Sequence, residues 1–446
     1  MTKNDKFPTV LFFMLPERGS YNASFLLARE LKENNFHVLY YCPENWCDLI
    51  KKQGFDCRIF NIHRLTRETL QNYPVKNKMV QNELRFRIRL YLIKKWSEGL
   101  GGFIQDNNID LVFIDPLMSF FYYGFIKHKV KIISVNTTLA SVVSSKYPPV
   151  FSGIKIKKKP GFFKRIRYSF EWLKLLSQKL YIIFYINRTI GILLSLFITA
   201  KYDCFLSFQK LIKQQDIKCR FSEYSFRVRV PEFVFSPRGF DLPVTSDWTE
   251  RIYLGASIDL KRNDFSFDWN KIDKQKKIIY CSLGTYTKRY KYARRLFLSV
   301  IGSVSLKPDC HLILQYGSIP PEELGKISDN ISLFEVLPQM EILQKTSLFI
   351  THGGFSSVRE ALFFGVPMIV FPCWLDQFGN AARIVYHNVG IRGNIKKVTP
   401  AMITKYIHQV MNDNSLHGSV KEMQDIFRDP QGLKQGIEFT KQYLKK

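Results

Sequence analysis

A histidine, two glycines, two serines and a glutamate stand close together near residue 355, with spacing that suits phosphate binding. His352 is followed directly by Gly353 and Gly354, and then by Ser356–Ser357 and Glu360. Glycines let backbone N–H groups approach a ligand closely, and a helix beginning after them would point its positive end at the same place. The histidine ring and both hydroxyls add hydrogen-bond donors. A phosphate is therefore the expected ligand, and Glu360 is placed to accept hydrogen bonds from a ribose diol.

The elements around these residues are predicted to form a strand, turn, helix and strand. Ser347–Thr351 has the length and β-branched content of a buried strand, and Phe355–Phe364 has the apolar spacing of a helix. Gly365 stands where that helix would end, and Met368–Phe371 is a second apolar strand. Such a βαβ unit belongs to a parallel sheet, and ligands bind at the carboxyl ends of parallel strands.

This stretch resembles the signature of UDP-dependent glycosyltransferases with the GT-B fold, which consists of two Rossmann-like domains. The family signature contains Pro-Gln, His-x-Gly-x-x-Ser-x-x-Glu, Gly-x-Pro, Pro-x-x-x-Asp/Glu-Gln and Asn-Ala, in that order. The chain has all five parts: Pro338-Gln339, His352 to Glu360, Gly365-x-Pro367, Pro372 to Gln377 and Asn380-Ala381. Matches in this order are more specific than a lone glycine motif. The alternative, an ordinary α/β core with a structural histidine, predicts none of the neighbours of that histidine.

The resemblance implies that two groups of residues bind a nucleotide sugar. The first holds the pyrophosphate, the ribose and the sugar: His352, Gly353, Gly354, Ser356 and Ser357 for the pyrophosphate, Glu360 for the ribose, and Asp376 and Gln377 for the sugar hydroxyls. The second group contacts the diphosphate or the nucleotide: Ser282, Gly284, Thr285, Leu337 and Gln339. Val336 stands where plant members stack an aromatic residue on uracil, and Ser356 replaces the usual asparagine. Neither a metal nor another cofactor is expected, because these donors do what a divalent ion does elsewhere.

The start of the chain also resembles this family. The family sequence Leu-Pro-x-x-Gly-His-x-Asn-Pro is matched from Leu15 to Ala23, with Ser20 at the position of the catalytic histidine. Asp115 ends the strand predicted at Asp110–Ile114 and matches the aspartate that supports the family's base, although its position also fits a helix N-cap. A serine hydroxyl is not a base near neutral pH. Asp115 is therefore the expected base and Glu17 the second candidate, while Ser20 positions a group or relays a proton.

The composition favours anionic partners. The chain has 446 residues, enough for two or three domains, with 66 Lys and Arg against 38 Asp and Glu, a formal net charge of +28. No nucleic-acid-binding motif accompanies this charge, so nucleic acid is not an expected partner. Eight cysteines are scattered and are interpreted as buried free thiols rather than a disulfide framework. The apolar run Val10–Leu15 is too short for a signal peptide, and the cytoplasm is the expected compartment.

Residues 151–200 combine strong positive charge with helical apolar spacing. The segment has one acidic residue, Glu171, and ten basic residues: Lys155, Lys157, Lys158, Lys159, Lys164, Arg165, Arg167, Lys174, Lys179 and Arg188. A transmembrane helix over Leu180–Ala200 is rejected, because Arg188 lies near its middle and the apolar run after it is too short. Two interpretations remain: a variable helical cover over the acceptor pocket, or a helix that lies on the inner face of an anionic membrane.

The alternation of strands and helices predicts an α/β protein with parallel sheets, and the resemblance implies two domains that face each other across a cleft. The predicted domains are 1–255, which binds the acceptor and includes the cover at 151–200, a linker at 256–276, and 277–418, which binds the nucleotide sugar. Residues 419–446 would, by resemblance, cross back to the first domain. Further elements are expected at Thr9–Leu15, Ala23–Glu33, His37–Cys42, Cys57–Phe60, Tyr73–Leu100, Lys131–Asn136, Cys204–Phe208, Arg227–Phe235, Ile252–Gly255, Lys277–Cys281, Leu312–Tyr316, Ser332–Leu337, Pro400–Asn412 and Val420–Leu444.

The resemblance therefore implies an inverting transferase that moves a hexose from a UDP-sugar to a small hydrophobic acceptor. Since no histidine is present at position 20, a phenolic or acidic acceptor is expected, because it is easily deprotonated or needs no base. One alternative is a glycolipid synthase of the same fold that acts at a membrane surface. A second alternative, of another class, is a catalytically silent protein that binds nucleotide sugars.

Overall fold

The computed structural model describes residues 7–60, 95–139, 146–154, 156, 161–189, 218–221, 226–242, 250–262, 264–273, 275–284 and 287–446. Two parallel β-sheets, one in each half of the chain, organise these residues. Each sheet has helices packed against it, so the structure confirms the predicted α/β class with two Rossmann-like domains.

The described residues of the first domain contain the strands β1 (Thr9–Phe13), β2 (His37–Cys42), β3 (Asp56–Ile59), β4 (Ile109–Ile114), β5 (Lys131–Asn136), β6 (Cys219–Phe221), β7 (Phe226–Val228), β8 (Glu232–Val234) and β9 (Arg251–Tyr253). Seven of them form a sheet in the order β3-β2-β1-β4-β5-β8-β9, whose neighbours are all parallel. β6 and β7 form a separate antiparallel pair. The central strand β1 is buried along its whole length, as expected for a strand covered on both faces.

The second sheet is built from six strands: β10 (Lys277–Ser282), β11 (Cys310–Gln315), β12 (Ile331–Phe334), β13 (Thr346–Thr351), β14 (Met368–Val370) and β15 (Gly390–Arg392). Their order is β12-β11-β10-β13-β14-β15, again all parallel. The order of the strands reverses between β10 and β13. Ligands bind beside the carboxyl ends of the strands at such a point in α/β sheets, and His352 directly follows β13.

The helices of the described residues include α1 (Arg18–Glu33), α2 (Glu44–Lys52), α3 (Tyr122–Lys127), α4 (Phe162–Thr189), α5 (Ala293–Val304), α6 (Gln339–Leu343), α7 (Phe355–Phe364), α8 (Gln377–Tyr386), α9 (Pro400–Asn412), α10 (Asn414–Arg428) and α11 (Gln431–Lys445). Residues 95–106 are also helical, and short 3-10 turns occur at Pro116–Phe121, Trp269–Lys271, Thr287–Arg289 and Pro321–Leu324. α7 has the predicted bounds, and Gly365 ends it in the left-handed region at φ 73°.

The prediction of a turn at Gly19 before a helix from Ala23 was wrong. α1 begins five residues earlier at Arg18, and the amide of Ser20 already donates to the carbonyl of Glu17 at 3.0 Å. Gly19 and Ser20 therefore lie in the first turn of the helix, with the positive end of its dipole beside them.

Two further differences have proline as their cause. The strand predicted at Arg227–Phe235 is two strands, β7 and β8, because Pro231 between them has no N–H for a ladder. The helix predicted at Val420–Leu444 is likewise two helices, α10 and α11. Asp429 is extended at φ −66° and ψ 119°, as the residue before Pro430 must be.

Several predictions fall wholly or partly on residues outside the described ranges. They are the strand at Cys204–Phe208, most of the helix at Tyr73–Leu100, and the part of Leu180–Ala200 that lies beyond Thr189. Within the described ranges, no helix combines the length and the apolar character that crossing a bilayer requires.

The two domains and the linker are joined by buried contacts. α11 packs on the first sheet: Leu433 and Ile437 belong to its core, and Lys131 donates to the carbonyl of Leu444 at 2.7 Å. The linker residue Asp259 is buried in an ion pair with Arg29 of α1 at 2.7 Å. These contacts hold the carboxyl ends of both sheets at one cleft.

Candidate functional site

The turn after β13 holds the His352 ring between two glycines. A Cβ atom at Gly284 would lie 2.9 Å from Cε1 of His352, and one at Gly354 would lie 2.5 Å from its Nε2. Gly353 has a φ of 81°, a conformation that disfavours any other residue. Only glycine therefore lets the two loops approach the ring this closely, which explains the glycines that the sequence singled out.

The buried His352 ring is neutral around neutral pH. Burial lowers its pKa from 6.5 to about 4, and a hydrogen bond from the ring to the backbone of Ser282 works in the opposite direction. Because a neutral imidazole has a single N–H, this ring donates either to Ser282 or to a phosphate oxygen, whereas the protonated ring can donate to both. A dianionic ligand beside the ring would raise this pKa, because an opposite charge favours the protonated form.

The N-terminus of α7 is open toward the cleft. Gly354 occupies its N-cap position without a capping side chain, so the first N–H groups are left for a ligand. Ser357 lies in this turn, where its hydroxyl accepts from Gln339 at 3.2 Å. Ser356 faces the other domain instead: its hydroxyl donates to the carbonyl of Gly19 at 3.3 Å. The N-termini of α1 and α7 therefore meet across the cleft.

Glu360 is buried and paired before any ligand binds. Its carboxylate accepts from Nε2 of Gln339 at 2.6 Å and from Arg262 of the linker at 3.1 Å. Arg262 also pairs with Asp264 at 2.8 Å. A ribose diol that used Glu360 would share a carboxylate already oriented by these two donors, as a preorganised binding group requires.

Asp376 and Gln377 precede and begin α8. Asp376 accepts from Asn380 at 2.9 Å, and burial raises its pKa to about 6. The Gln377 amide is used within the protein: its oxygen accepts from the backbone of Cys373 and Trp374, each at 2.8 Å, and its nitrogen donates to the Tyr290 hydroxyl at 3.0 Å. Gln377 therefore shapes the loop, and Asp376 is the group with acceptor capacity left for a sugar.

The remaining residues assigned to the nucleotide sugar have different environments. Ser282 is the last residue of β10 and accepts from the amide of Gly284 at 3.2 Å, while Thr285 lies outside the described residues. Leu337 belongs to the hydrophobic core of its domain, so only its backbone could contact a ligand. Val336 stands where plant members stack an aromatic residue on uracil. Its side chain is half exposed, so this position is accessible to a ligand.

On the opposite side of the cleft, Asp115 follows β4 and is fully buried. Its carboxylate accepts from the amide of Leu117 at 2.8 Å and from the hydroxyl of Thr137 at 3.3 Å. The first bond caps the 3-10 turn at Pro116–Phe121, so the capping role weighed from the sequence is present. Burial raises the pKa of Asp115 to about 7, which makes this carboxylate a stronger base than an ordinary one.

Glu17 and Ser20 lie at the start of α1 beside this carboxylate. The charge of Glu17 further raises the pKa values of both Asp115 and Asp376, so its carboxylate lies within electrostatic range of both domains' acids. Ser20 is buried. Between Ser20 and Asp115 no hydrogen bond is present in the described part of the chain.

A cavity of about 1090 Å³ opens beside the site, mainly in the second domain. Its basic lining residues are Arg289, Lys291, Arg392 and Lys396, its aromatic ones are Tyr290, Tyr292, Trp374, Phe378 and Tyr406, and Gly153 and Ile156 come from the first domain. No acidic residue is among the described residues that line it. Tyr290 joins the cavity to the site, since its ring lies 5.9 Å from His352 and its hydroxyl contacts Gln377.

Sequence reasoning missed Arg262 and Tyr290. Arg262 lies in a charged, aperiodic segment that offers no pattern to place it against Glu360. Tyr290 stands between Arg289 and Lys291, whose charge suits an anion, but nothing in the sequence distinguishes the tyrosine itself.

Comparison with known proteins identifies the second half of the chain. Residues 267–434 match the family described as UDP-glucoronosyl and UDP-glucosyl transferase. An uncharacterized UDP-glucosyltransferase, YojK of Bacillus subtilis, is 31% identical over 209 residues, which are 46% of this chain and 50% of the relative. The NDP-glycosyltransferase YjiC of the same organism is 27% identical over 224 residues, covering 49% and 56%. The chain thus matches about half the length of these curated relatives.

Solved structures match over nearly the whole chain. The glycotransferase of kitacinnamycin has a TM-score of 0.69 at 19% identity, covering 98% of this chain and 99% of that one. The calicheamicin glycosyltransferase CalG4 has a TM-score of 0.67 at 16% identity, covering 99% of each chain. The glycosyltransferase VinC, solved in complex with dTDP, has a TM-score of 0.63 at 13% identity, covering 98% and 99%. These likenesses confirm the GT-B fold.

Proposed function

Because residues 267–434 carry the UDP-glycosyltransferase signature on a GT-B fold, we propose that this protein transfers a hexose from a UDP-sugar, with inversion. The observation that carries the proposal is the neutral His352 held between two glycines beside the open N-terminus of α7. Backbone N–H groups, the imidazole and the hydroxyl of Ser357 would stabilise the diphosphate as it leaves. These donors fulfil the task of a divalent ion, so no metal is part of this proposal.

Asp115 is the proposed base. A buried carboxyl with a pKa of about 7 can accept a proton from a phenol near neutral pH, directly or through a water molecule. Attack on the face of the sugar opposite the diphosphate then inverts the anomeric centre. Glu17 lies within electrostatic range of Asp115 and is the second candidate.

The acceptor we propose is a small hydrophobic molecule with a phenolic or acidic group. This proposal rests on the serine at position 20, where the family has its catalytic histidine, because the cavity next to Tyr290 lies mainly in the second domain and is lined by neither Asp115 nor Glu17. A carboxylic-acid acceptor would need no base, so its transfer would depend less on Asp115 than that of a phenol.

Turnover with a defined donor tests this function. The protein would be incubated with UDP-glucose, UDP-galactose and UDP-glucuronic acid and with paired phenolic, carboxylic and aliphatic-alcohol acceptors. We expect UDP release together with an acceptor heavier by one sugar, and less of both with His352→Ala when the UDP-sugar is limiting. Tight binding of every UDP-sugar without transfer to any acceptor would contradict the proposal and favour the silent nucleotide-sugar binder.

A second candidate, a glycolipid synthase at a membrane surface, is favoured by α4. Phe162, Phe163, Ile166, Phe170 and Leu173 are all exposed, Phe163 by 84% and Phe162 by 73%. At 3.6 residues per turn they share an arc of about 100° on the helix. Such an apolar face in contact with water calls for a partner.

The other side of α4 anchors the helix to the protein. Tyr168 and Trp172 are buried there, and the Trp172 indole donates to the carbonyl of Tyr147 at 2.9 Å. The apolar arc consequently points outward. The pocket-cover interpretation requires this arc to pack on a core, and the exposed side chains do not do so.

Basic residues flank the apolar arc. Arg165 lies on one side of it and Arg167 and Lys174 lie on the other, and each contributes about 1 kcal/mol near an anionic lipid surface. This arrangement fits a helix lying in the interface of an anionic bilayer, with its apolar face buried in the lipid. We therefore propose an anionic membrane surface as a partner. Lys157, Lys158 and Lys159, which the sequence also assigned to this surface, lie outside the described residues.

Co-sedimentation with vesicles tests the membrane proposal. At low salt the protein should bind vesicles of phosphatidylserine and phosphatidylcholine but not phosphatidylcholine alone, and it should dissociate as salt is added. Phe163→Ser with Phe170→Ser should abolish binding, whereas reversing the exposed Lys421 on α10 should not. A wholly unbound protein at low salt would contradict it and leave the pocket cover.

A further inference from the structure

Three cysteines from three consecutive elements meet at one edge of the first sheet. Cys42 ends β2, Cys47 lies on α2 and Cys57 lies on β3. Their sulfur atoms all lie within 4.8 Å of one another, and those of Cys42 and Cys47 are 3.6 Å apart. Such a triangle is close to the arrangement of three thiolates around one ion: with metal–sulfur bonds of about 2.3 Å in a tetrahedron, the sulfurs are about 3.8 Å apart.

A buried tyrosine supplies a second, independent observation. Tyr21 is fully buried on α1, and its hydroxyl has no hydrogen-bond partner among the residues that the structure describes. Its ring lies 5.2 Å from that of Trp46, the neighbour of Cys47. The hydroxyl interacts electrostatically with both Cys42 and Cys47. Buried polar groups are normally paired, so this hydroxyl points to a missing partner at the thiols.

We propose that Cys42, Cys47 and Cys57 bind one thiophilic divalent cation, with Zn²⁺ as the defining case. Each thiol gives its proton to solvent as a sulfur–metal bond forms, so three protons leave and the site carries a charge of −1. Three protein ligands leave a fourth tetrahedral position. The Tyr21 hydroxyl can occupy that position or donate a hydrogen bond to a bound thiolate. Neither oxidation nor a co-reactant is involved.

The ion would connect α2 to β2 and β3, and it would lie next to α1. Tyr21 directly follows Ser20 on α1, so a metal bound at the thiols would also fix the first turns of α1. This role is separate from sugar transfer, for which the proposed function uses no metal. The proposal therefore does not depend on the proposed function.

Direct metal titration of the full chain tests the site. The untagged, reduced protein would be freed of metal by a chelator and titrated anaerobically with Co²⁺ and then with Zn²⁺ in competition with a chromophoric chelator. We expect one ion per chain, a sulfur-to-cobalt charge-transfer band that Zn²⁺ abolishes, and a melting temperature that rises with Zn²⁺.

Cys57→Ser is the test variant, because Cys57 is the least buried member of the cluster. Cys373→Ser is its matched control, since Cys373 is also half-buried but lies in the other domain. Loss of even an outer partner of a metal ligand costs about 10-fold to 100-fold in affinity, so Cys57→Ser should lose at least about tenfold. Cys373→Ser should bind like the wild type.

Two results would overturn the proposal. One is the absence of a charge-transfer band and of a Zn²⁺-dependent melting shift in the wild-type chain. The other is equal Zn²⁺ affinity in Cys57→Ser and Cys373→Ser. If Cys57→Ser does not fold, Cys47→Ala gives the same comparison from a different element.

Discussion

The two sides of the cleft are built in different ways. On the donor side, His352, Ser357 and Glu360 lie within nine residues of one another and are held by hydrogen bonds inside their own domain and by the linker. On the acceptor side, Glu17 and Asp115 come from segments about a hundred residues apart. The Glu17 carboxylate acts electrostatically on Asp115 of its own domain and on Asp376 of the opposite domain.

This difference separates the residues proposed to bind the nucleotide sugar from the carboxyls proposed to act in the transfer. A donor site made from one βαβ unit can be complete in a single domain, because one helix N-terminus supplies most of the anion binding. The chemistry needs groups from both domains at one point, and such groups are tuned by burial there. Substitutions on the donor side should therefore affect UDP affinity, whereas substitutions on the acceptor side should affect the rate of transfer.

The largest expected effect is on the acceptor side. Asp115→Asn should lower the rate of transfer to a phenol by about 10²-fold to 10⁴-fold, because it removes the proton acceptor. UDP affinity should be unchanged, as measured by calorimetric titration. Ser20→Ala is the matched variant and should change the rate little. If Ser20→Ala abolishes turnover while Asp115→Asn leaves it intact, the assignment of Asp115 as the base is wrong.

The next effect concerns the ion pair that supports the donor side. Arg262→Ala leaves the buried carboxylate of Glu360 without its charged partner, which costs about 3–5 kcal/mol for a buried pair. Denaturant unfolding would measure this loss, and UDP affinity should fall with it. Arg294→Ala breaks the exposed pair with Glu323 and should cost about 1 kcal/mol or less. Equal losses in the two variants would show that Arg262 does not support Glu360.

A smaller effect is expected at the diphosphate. His352→Ala should weaken UDP binding by about 1–3 kcal/mol, the value of a desolvated polar contact, and leave the fold intact. His311→Ala is the control, because His311 is also buried in the second sheet but donates or accepts only toward Ser332. Calorimetry that gave the two variants the same UDP affinity would remove His352 from the donor site.

The smallest effect is a difference in pH dependence. The pKa of Asp115 is raised from 3.8 to about 7, so its folded form keeps a proton that the unfolded chain has lost, and stability falls as the pH rises between those values. The pKa of His352 is lowered from 6.5 to about 4, so stability instead falls as the pH drops between those values.

Melting curves from about pH 5 to pH 8 separate these opposite slopes. Relative to the wild type, Asp115→Asn should gain stability as the pH rises, whereas a variant that lacks His352 should gain it as the pH falls. Parallel curves for wild type and Asp115→Asn would contradict the raised pKa of the buried carboxyl.

The sequence predicted the donor side better than the acceptor side for a physical reason. Strand β13, the glycine turn and α7 are encoded by neighbouring residues, so local spacing was enough to place His352 and Glu360. The position of Asp115 at the end of β4 was also local, but the burial that tunes it depends on packing of the whole domain. No local pattern contains that information.

Contacts between distant segments explain what the sequence did not reveal. Cys42, Cys47 and Cys57 appear scattered in the chain, and only the pairing of β2 with β3 brings them together. The linker at 256–276 was assigned by its lack of periodicity, yet Asp259 and Arg262 are buried in it. Periodicity detects a face that packs continuously, so it misses single residues that anchor an irregular segment.

The position of Arg262 also determines where this chain could be joined to a half of another protein. Hybrids of two-domain proteins are made by joining halves of different parents. The irregular segment before Lys277 would be an obvious place for such a junction. A junction at residue 276 would give the donor half a foreign partner for Glu360, while a junction before residue 256 would transfer Arg262 together with the carboxylate it orients. The hybrid with the earlier junction should keep the nucleotide preference of its donor parent. The segment that can be transferred intact therefore begins before Arg262 and not at the first strand of the second sheet.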